Sequence, residues 1–158
     1  MDDRRYVVTF QLDDQRFGLK LAVVERVVRA VAVTPLPHAP ATVLGVINLK
    51  GQVVAILNIR QRFDLPNKAL DVSDNMIICR TARRTVGFIV DKVEDVFAYQ
   101  PENYVASQGI VPGLECIEGI VKLPDGLFLV HDLDRFLSLE ELEVLDAALN
   151  TFGQKHDH

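Results

Sequence analysis

The sequence predicts a mainly β fold, with two small closed or nearly closed barrels of about five strands each and one helix near the C-terminal end. Three observations lead there. Gly, Pro, Asn and Asp divide the 158-residue chain into short apolar runs, the pattern of strands joined by tight turns. The stretch LGVINLKGQVVAILNIRQRF (44–63) returns from Gly119 as GIVKLPDGLFLVHDLDRFL, so that Gly45/Gly119, Leu49/Leu123, Val53/Leu127, Asn58/Asp132 and Ile59/Leu133 pair at a constant offset of 74. An offset of 69 likewise pairs Gly18/Gly87, Leu19/Phe88, Leu21/Val90, Val24/Val93, Glu25/Glu94 and Val27/Val96. A unit of ~60 to 70 residues is marginal alone, so the two are expected to bury a shared face.

Tyr6–Leu12 alternates as a strand, Asp13-Asp14-Gln15 supplies turn chemistry, and Arg16–Leu21 returns as its hairpin partner. In Val23–Arg29 the spacing of Val24, Val27 and Val28 suits a helical turn while the β-branched content suits extension, which predicts a turn of helix running into a strand. Pro35, Pro37 and Pro40 then impose an irregular surface connection. Next comes a hairpin, Val46–Leu49 and Val53–Ile59 around Lys50-Gly51, with the cationic exit Arg60-Gln61-Arg62. Asp64–Asn75 reads as a loop and the internal boundary, separating a first barrel of about 15–70 from a second of about 75–135 within one domain of 1–150. The pattern restarts with Met76–Arg80 and Thr85–Val90 around Ala82-Arg83-Arg84, then Asp91–Ala98. The turn-rich loop Gln100–Glu118 precedes the second copy of the hairpin. Ser138 followed by Glu141 has capping-box spacing, and Leu139, Leu142, Leu145 and Leu149 share a face, so a helix is expected over Ser138–Leu149 with a flexible tail at 151–158.

Composition narrows the function. Net charge is −5, against a nucleic-acid or anionic-membrane partner, and no apolar run has the ~18 to 20 residues of a membrane span or the form of a signal peptide, which points to the cytoplasm. Cys79 and Cys116 sit in apolar contexts without metal-ligand spacing and read as reduced core thiols.

The common enzyme signatures, a phosphate loop, a dinucleotide fingerprint, HExxH and GxSxG, do not occur. His131, Asp132 and Asp134 form the nearest polar cluster; it reads either as a polar strand exit matching Asn58–Arg60 or, with further convergent groups, as a metal or acid–base site. His38 reads as solvated, and His156 with His158 as an incidental tail pair. Arg80, Arg83 and Arg84, like Arg60 and Arg62, lack interleaved aromatics and suit solvated turns or ion pairs with a protein partner rather than nucleic acid. Val24, Val27, Val93 and Val96 fall at equivalent places in the two units, where they either fill a core or line a groove suited to a partner helix.

The run FGLKLAVVERVVRAVAVTPLPHAPATVLGVINLKGQVVAILNIRQRF (17–63), with its TPLP, GVINLKG and N-x-R-x-R-F pieces in order, resembles the signature of the CheW family of bacterial chemosensory adaptors. VGFIVDKVEDV and IEGIVKLPDGLFLVHDLDRFL extend the similarity to about residues 5–150. The resemblance implies two SH3-like five-stranded β-barrels around a common core. It also implies a non-enzymatic scaffold, without metal or cofactor, that couples chemoreceptor cytoplasmic tips to the regulatory domain of the histidine kinase CheA at membrane-associated receptor arrays. By position, the receptor-binding groove would include Val24, Arg26, Val27, Lys50 and Val96, and the kinase-binding residues Arg60, Arg62 and Asp132. Lys50 stands where the family usually has Arg, and Arg26 where an acid is common, so either Glu25 substitutes for that acid or the face recognises a different receptor set. The alternatives are an adaptor of a surface-motility or developmental pathway, and a ligand-binding double barrel.

Overall fold

The computed structural model describes residues 5–106, 117–124 and 126–156. The first strands are β1 (Tyr6–Leu12), β2 (Gln15–Lys20) and, after a 3₁₀ turn at Leu21–Val23, β3 (Val24–Arg29). The first hairpin is β4 (Val43–Leu49) and β5 (Gln52–Leu57), closed by the short α1 (Ile59–Arg62). Then come β6 (Asn75–Arg80), β7 (Thr85–Val90), β8 (Lys92–Ala98), β9 (Tyr104–Ala106), and the second hairpin, β10 (Ile117–Leu123) and β11 (Gly126–His131). A 3₁₀ turn at Leu133–Arg135 leads to α2 (Leu139–His156). The sheets are ordered β8-β1-β2-β11-β10-β9 and β3-β6-β7-β5-β4. The expected architecture of two small barrels with a C-terminal helix is present.

The repeat is visible atom by atom. Register breaks between Val43 and Gly45 in one hairpin and between Ile117 and Gly119 in the other, as bulges in matching places. Asn58 accepts from the Gln61 amide at 3.3 Å to cap α1, and Asp132 accepts from the Asp134 amide at 3.0 Å to cap the 3₁₀ turn. At Gly45 the carbonyl of Thr34 occupies the space of a Cβ, and Thr34 and Val46 exchange two backbone bonds of 2.8 Å. This bridge turns the β4 edge back toward the chain leaving β3. In the other sheet β9 does the same to β10, Val105 opposite Ile120.

The division into about 15–70 and 75–135 is corrected. The five-stranded sheet uses β3 to β7, and the six-stranded sheet is assembled from the strands on either side. Each half lends its opening hairpin to the closing hairpin of the other: Ile56 pairs in parallel with Gly87, and Val130 with Gly18. Because both halves carry one residue pattern, that pattern is blind to which copy pairs. The connections decide it, and these are short: Leu21–Val23 between β2 and β3, and Asp91 alone between β7 and β8.

Strand alternation distributes the apolar side chains among three clusters. Val54 and Ile56 of β5 point into their own barrel with Ile47, Met76 and Ile78. Ala55 and Leu57 point the other way, into a shared core with Phe10, Leu19, Ile77 and Phe88. Val7, Val121, Phe128 and Val130 fill the second barrel.

The capping box of α2 is formed: the Ser138 amide donates to Glu141 Oε1 at 2.9 Å, and the Glu141 amide donates to Ser138 Oγ at 3.1 Å. Leu142, Leu145, Ala148 and Leu149 then cover the shared core. The expected tail is corrected here, since the helix runs on to His156; Phe152 extends the apolar stripe onto the same core. Glu141 also accepts from Thr42 Oγ1 at 2.6 Å and from Arg62 at 3.0 Å, tying the helix start to the residue before β4 and to α1. Burial opposes its charge, but hydrogen bonds from Thr42, Ser138 and Arg62 win and hold its carboxyl down to about 2.

Glu141→Gln is therefore expected to cost about 1 to 2 kcal/mol at neutral pH in urea melts. A carboxyl depressed in the folded state contributes above its unfolded value of 4.5 and loses that contribution as pH falls toward about 2; the variant should lack this slope.

Candidate functional site

The expected groove residues lie on sheet edges. Among the described residues β3 pairs only with β6, and β8 only with β1, so each leaves one side of its backbone without a sheet partner there. The two readings of the valines are divided by position: Val24 and Val93 pack on the shared core, whereas Val27 and Val96 are 40% and 54% exposed.

Arg26 of β3 is exposed, as is Lys50 in its turn. Lys50 and Gly51 both take positive φ, 53° and 87°, and Asn48 Oδ1 accepts from the Gly51 amide at 2.8 Å, which holds the two-residue hairpin turn. Leu49, next to the turn, packs on the same cluster as Val28 and Ala30. Glu25 faces β6 and β7 rather than the Lys50 turn. Its carboxylate lies 3.5 Å from Arg80 and 3.5 Å from the Thr85 hydroxyl.

Of the residues expected to bind a kinase, Arg60 is the most enclosed. It is buried, with Nη1 2.9 Å from Asp13, Nη2 2.8 Å from Asp91, and a further bond to the Pro66 carbonyl at 3.2 Å. It joins the β1–β2 turn, the β7–β8 connection and the loop after α1. Burial works against the charge of Asp91, yet the Asp13 amide, Arg60 and Lys68 together hold its carboxyl below the usual range. Arg62 is bound to Glu141 and to the Phe136 carbonyl, and Asp132 is bound to its own turn and to Arg135 at 3.2 Å. All three charges are thus engaged within the chain.

Two exposed residues were missed. Val53 and Leu127, 48% and 68% exposed, begin β5 and β11 just after the two hairpin turns. The repeat had paired them; the available signal was that an apolar residue stands at the outward phase in both copies.

A family model for the CheW-like domain matches residues 6–141. The chain belongs to the CheW-like domain family. A chemotaxis protein CheW of Treponema pallidum is 29% identical over 150 residues, covering 91% of this chain and 88% of that protein. Another, of Rhizobium meliloti, is 29% identical over 141 residues, covering 88% and 91%. Among solved structures, the scaffolding protein TtCheW from Thermoanaerobacter tengcongensis matches with a TM-score of 0.78 at 24% identity, over 87% of this chain and 95% of that one, a likeness of fold.

The polar cluster on the second hairpin of this CheW-like domain does not converge. His131 is buried against the rings of Phe17 and Phe63, while Asp134 accepts from the Ala82 amide at 2.9 Å. His131 occupies the place that Leu57 holds one repeat earlier, which makes it a core residue of the CheW-like domain with Nδ1 unpaired. Burial depresses it to about 4, against weaker opposing contributions from the backbone at Gly18 and Leu129. Among the described residues no group of three His, Cys, Asp or Glu is placed to hold a metal ion, and no helix is long and apolar enough to cross a membrane. Cys79 is a buried free thiol pushed up to about 12 by burial; Cys116, His158 and residues 107–116 of the long loop lie outside the described residues.

Arg60→Met should destabilise the CheW-like domain by about 2 kcal/mol in denaturant melts, less than for a fully buried pair because Asp13 and Asp91 keep access to water. His131→Leu tests the histidine. The unfolded chain takes up its proton near 6.5 and the folded chain only near 4, so the wild type should lose up to about 3 kcal/mol as pH falls through that window. The leucine variant should show a flatter stability profile over the same window.

Proposed function

We propose that this chain is a non-enzymatic chemotaxis adaptor, which holds the cytoplasmic tip of a chemoreceptor and the regulatory domain of a CheA-type histidine kinase in one assembly. Its place is then the cytoplasm, at membrane-associated receptor arrays. The observation that carries the reading is the duplicated exposure: Val27 and Val96 stand out from equivalent edge strands, and Val53 and Leu127 from equivalent hairpin tips. Apolar side chains at repeated outward positions contribute nothing to the three cores, and they suit contact with partner proteins. The family and the relatives named chemotaxis protein CheW support the same direction.

Val24, Arg26, Val27, Lys50 and Val96 form the receptor-facing surface in this reading. The kinase contact shifts from Arg60, Arg62 and Asp132, which serve within the chain, to the hairpin tips at Val53 and Leu127. Two such contact regions allow one molecule to bridge two partners, and an array of weak bridges gains its stability from avidity. Receptor state would reach the kinase as a population shift, through contacts that differ between two receptor conformations.

Val96→Asp or Val27→Asp should lower co-sedimentation with receptor by about tenfold or more, because the interface would have to bury a carboxylate. Leu127→Asp should lower kinase recovery and spare receptor recovery. Thermal melts should change little, since these side chains are exposed. Wild-type recovery of both partners by all three variants would overturn the proposal.

A further inference from the structure

The two halves of the chain fill equivalent places differently. In one, the rings of Phe17 and Phe63 stack with centroids 4.7 Å apart, and His131 lies against them at 5.2 and 4.9 Å. Their repeat mates, at the offsets of 69 and 74, are Val86, Leu137 and Leu57. All three mates are buried. Where the stacked rings are missing, a cavity of ≈ 250 Å³ opens beside α2, with Leu133 and Leu142 also in its wall. An apolar cavity of about 150 Å³ already accepts a benzene ring, so this one has room for an aliphatic or aromatic side chain.

The charges differ as well. At the filled site Arg60 is paired with Asp13 at 2.9 Å; the mates of these two residues are Asp134 and Ala82. Asp134 accepts from the Ala82 amide at 2.9 Å and makes no ion pair among the described residues. Arg83 lines the same cavity and lies 3.5 Å from Asp146, an acid that Arg84 already engages. A carboxylate without a cation and a guanidinium with donors to spare thus flank one apolar chamber.

We propose that this cavity binds a free apolar α-amino acid, its side chain among Leu57, Val86 and Leu137, its ammonium on Asp134 and its carboxylate on Arg83. Charge complementarity selects the zwitterion. A simple apolar acid would bring its carboxylate beside Asp134, and a simple amine would bring its cation beside Arg83; a ligand with both charges on one carbon satisfies both groups. A mostly apolar chamber with a few polar groups that fix orientation is the usual make of a small-molecule site. None of Val27, Val53, Val96 and Leu127 lines it, so the site does not depend on the partner contacts proposed above.

The test is an amide NMR titration of the full chain, read at Ala82 and Arg83. The probes are L-leucine and L-phenylalanine, each beside its N-acetyl derivative, which lacks the ammonium, and its amide, which lacks the carboxylate. Glycine serves as the probe without a side chain. At least one parent amino acid is expected to bind, about two- to fivefold tighter than either of its derivatives, and glycine far more weakly. Asp134→Asn, which keeps an oxygen for the Ala82 amide, should level the parent with its N-acetyl derivative, and Arg83→Gln should level it with its amide. Val86→Phe and Leu137→Phe restore the rings of the filled site, and each should weaken binding by about tenfold or more. Both charge variants alter exposed side chains, so they test the site even if a ring variant does not fold. Binding of neither parent, glycine binding as well as they do, a preference unchanged in both charge variants, or undiminished binding by a folded ring variant would overturn the inference. Tighter binding of a peptide with an N-terminal leucine than of leucine itself would overturn it in favour of a protein terminus.

Discussion

In this molecule the wall of each barrel is also a wall of the space between the barrels, so the central strands are buried on both faces. Met76 and Ile78 face one interior while Ile77 and Cys79 face the shared core, all within one strand of six residues. Burying a Val, Leu, Ile or Phe side chain contributes about 1.5 to 3 kcal/mol, and a barrel of this size holds few of them in its own interior. The shared cluster is the larger reservoir, drawing on both sheets, on Phe136 and Leu137, and on Leu145 and Ala148 of α2. Separating the barrels would expose it, which makes their stabilities interdependent. It also explains why Leu142, Leu145, Leu149 and Phe152 fall on a single helix face.

Much of this was legible in the residues, and the limits have physical causes. Strand alternation, the prolines at 35, 37 and 40, the Lys50-Gly51 turn and the Ser138/Glu141 box are local, and each formed where the pattern placed it. The duplicated glycines at 45 and 119 became matching bulges, and Asn58 and Asp132 became matching caps. Long-range choices left no local trace. The acids that hold Arg60 are 47 and 31 residues away, so Arg60-Gln61-Arg62 read as a solvated cationic exit. His131 looked like part of a polar cluster because its neighbours are Asp132 and Asp134; its repeat mate Leu57 was the better guide.

Charge is distributed by the same logic. Arg60 lies where three connecting segments converge, and its fork of donors matches two carboxylates and a carbonyl at once, which a lysine could not reproduce. Arg83 and Arg84 secure the β6–β7 turn to Asp146 of α2. The structural cations therefore sit at junctions between elements. Arg26 and Arg29 of β3 make no ion pair among the described residues and join no elements.

The chain passes between the barrels through Leu21–Val23 and again through Asp91 alone. The second crossing is held by the Asp13 amide at 2.7 Å, by Arg60 and by Lys68. A hinge needs a few residues free to absorb a change in φ and ψ, and a single anchored aspartate offers none. With crossings this short and a common interior, the two barrels have little freedom to swing against one another. A force applied to one barrel must then shift the whole unit, rather than bend it at a joint.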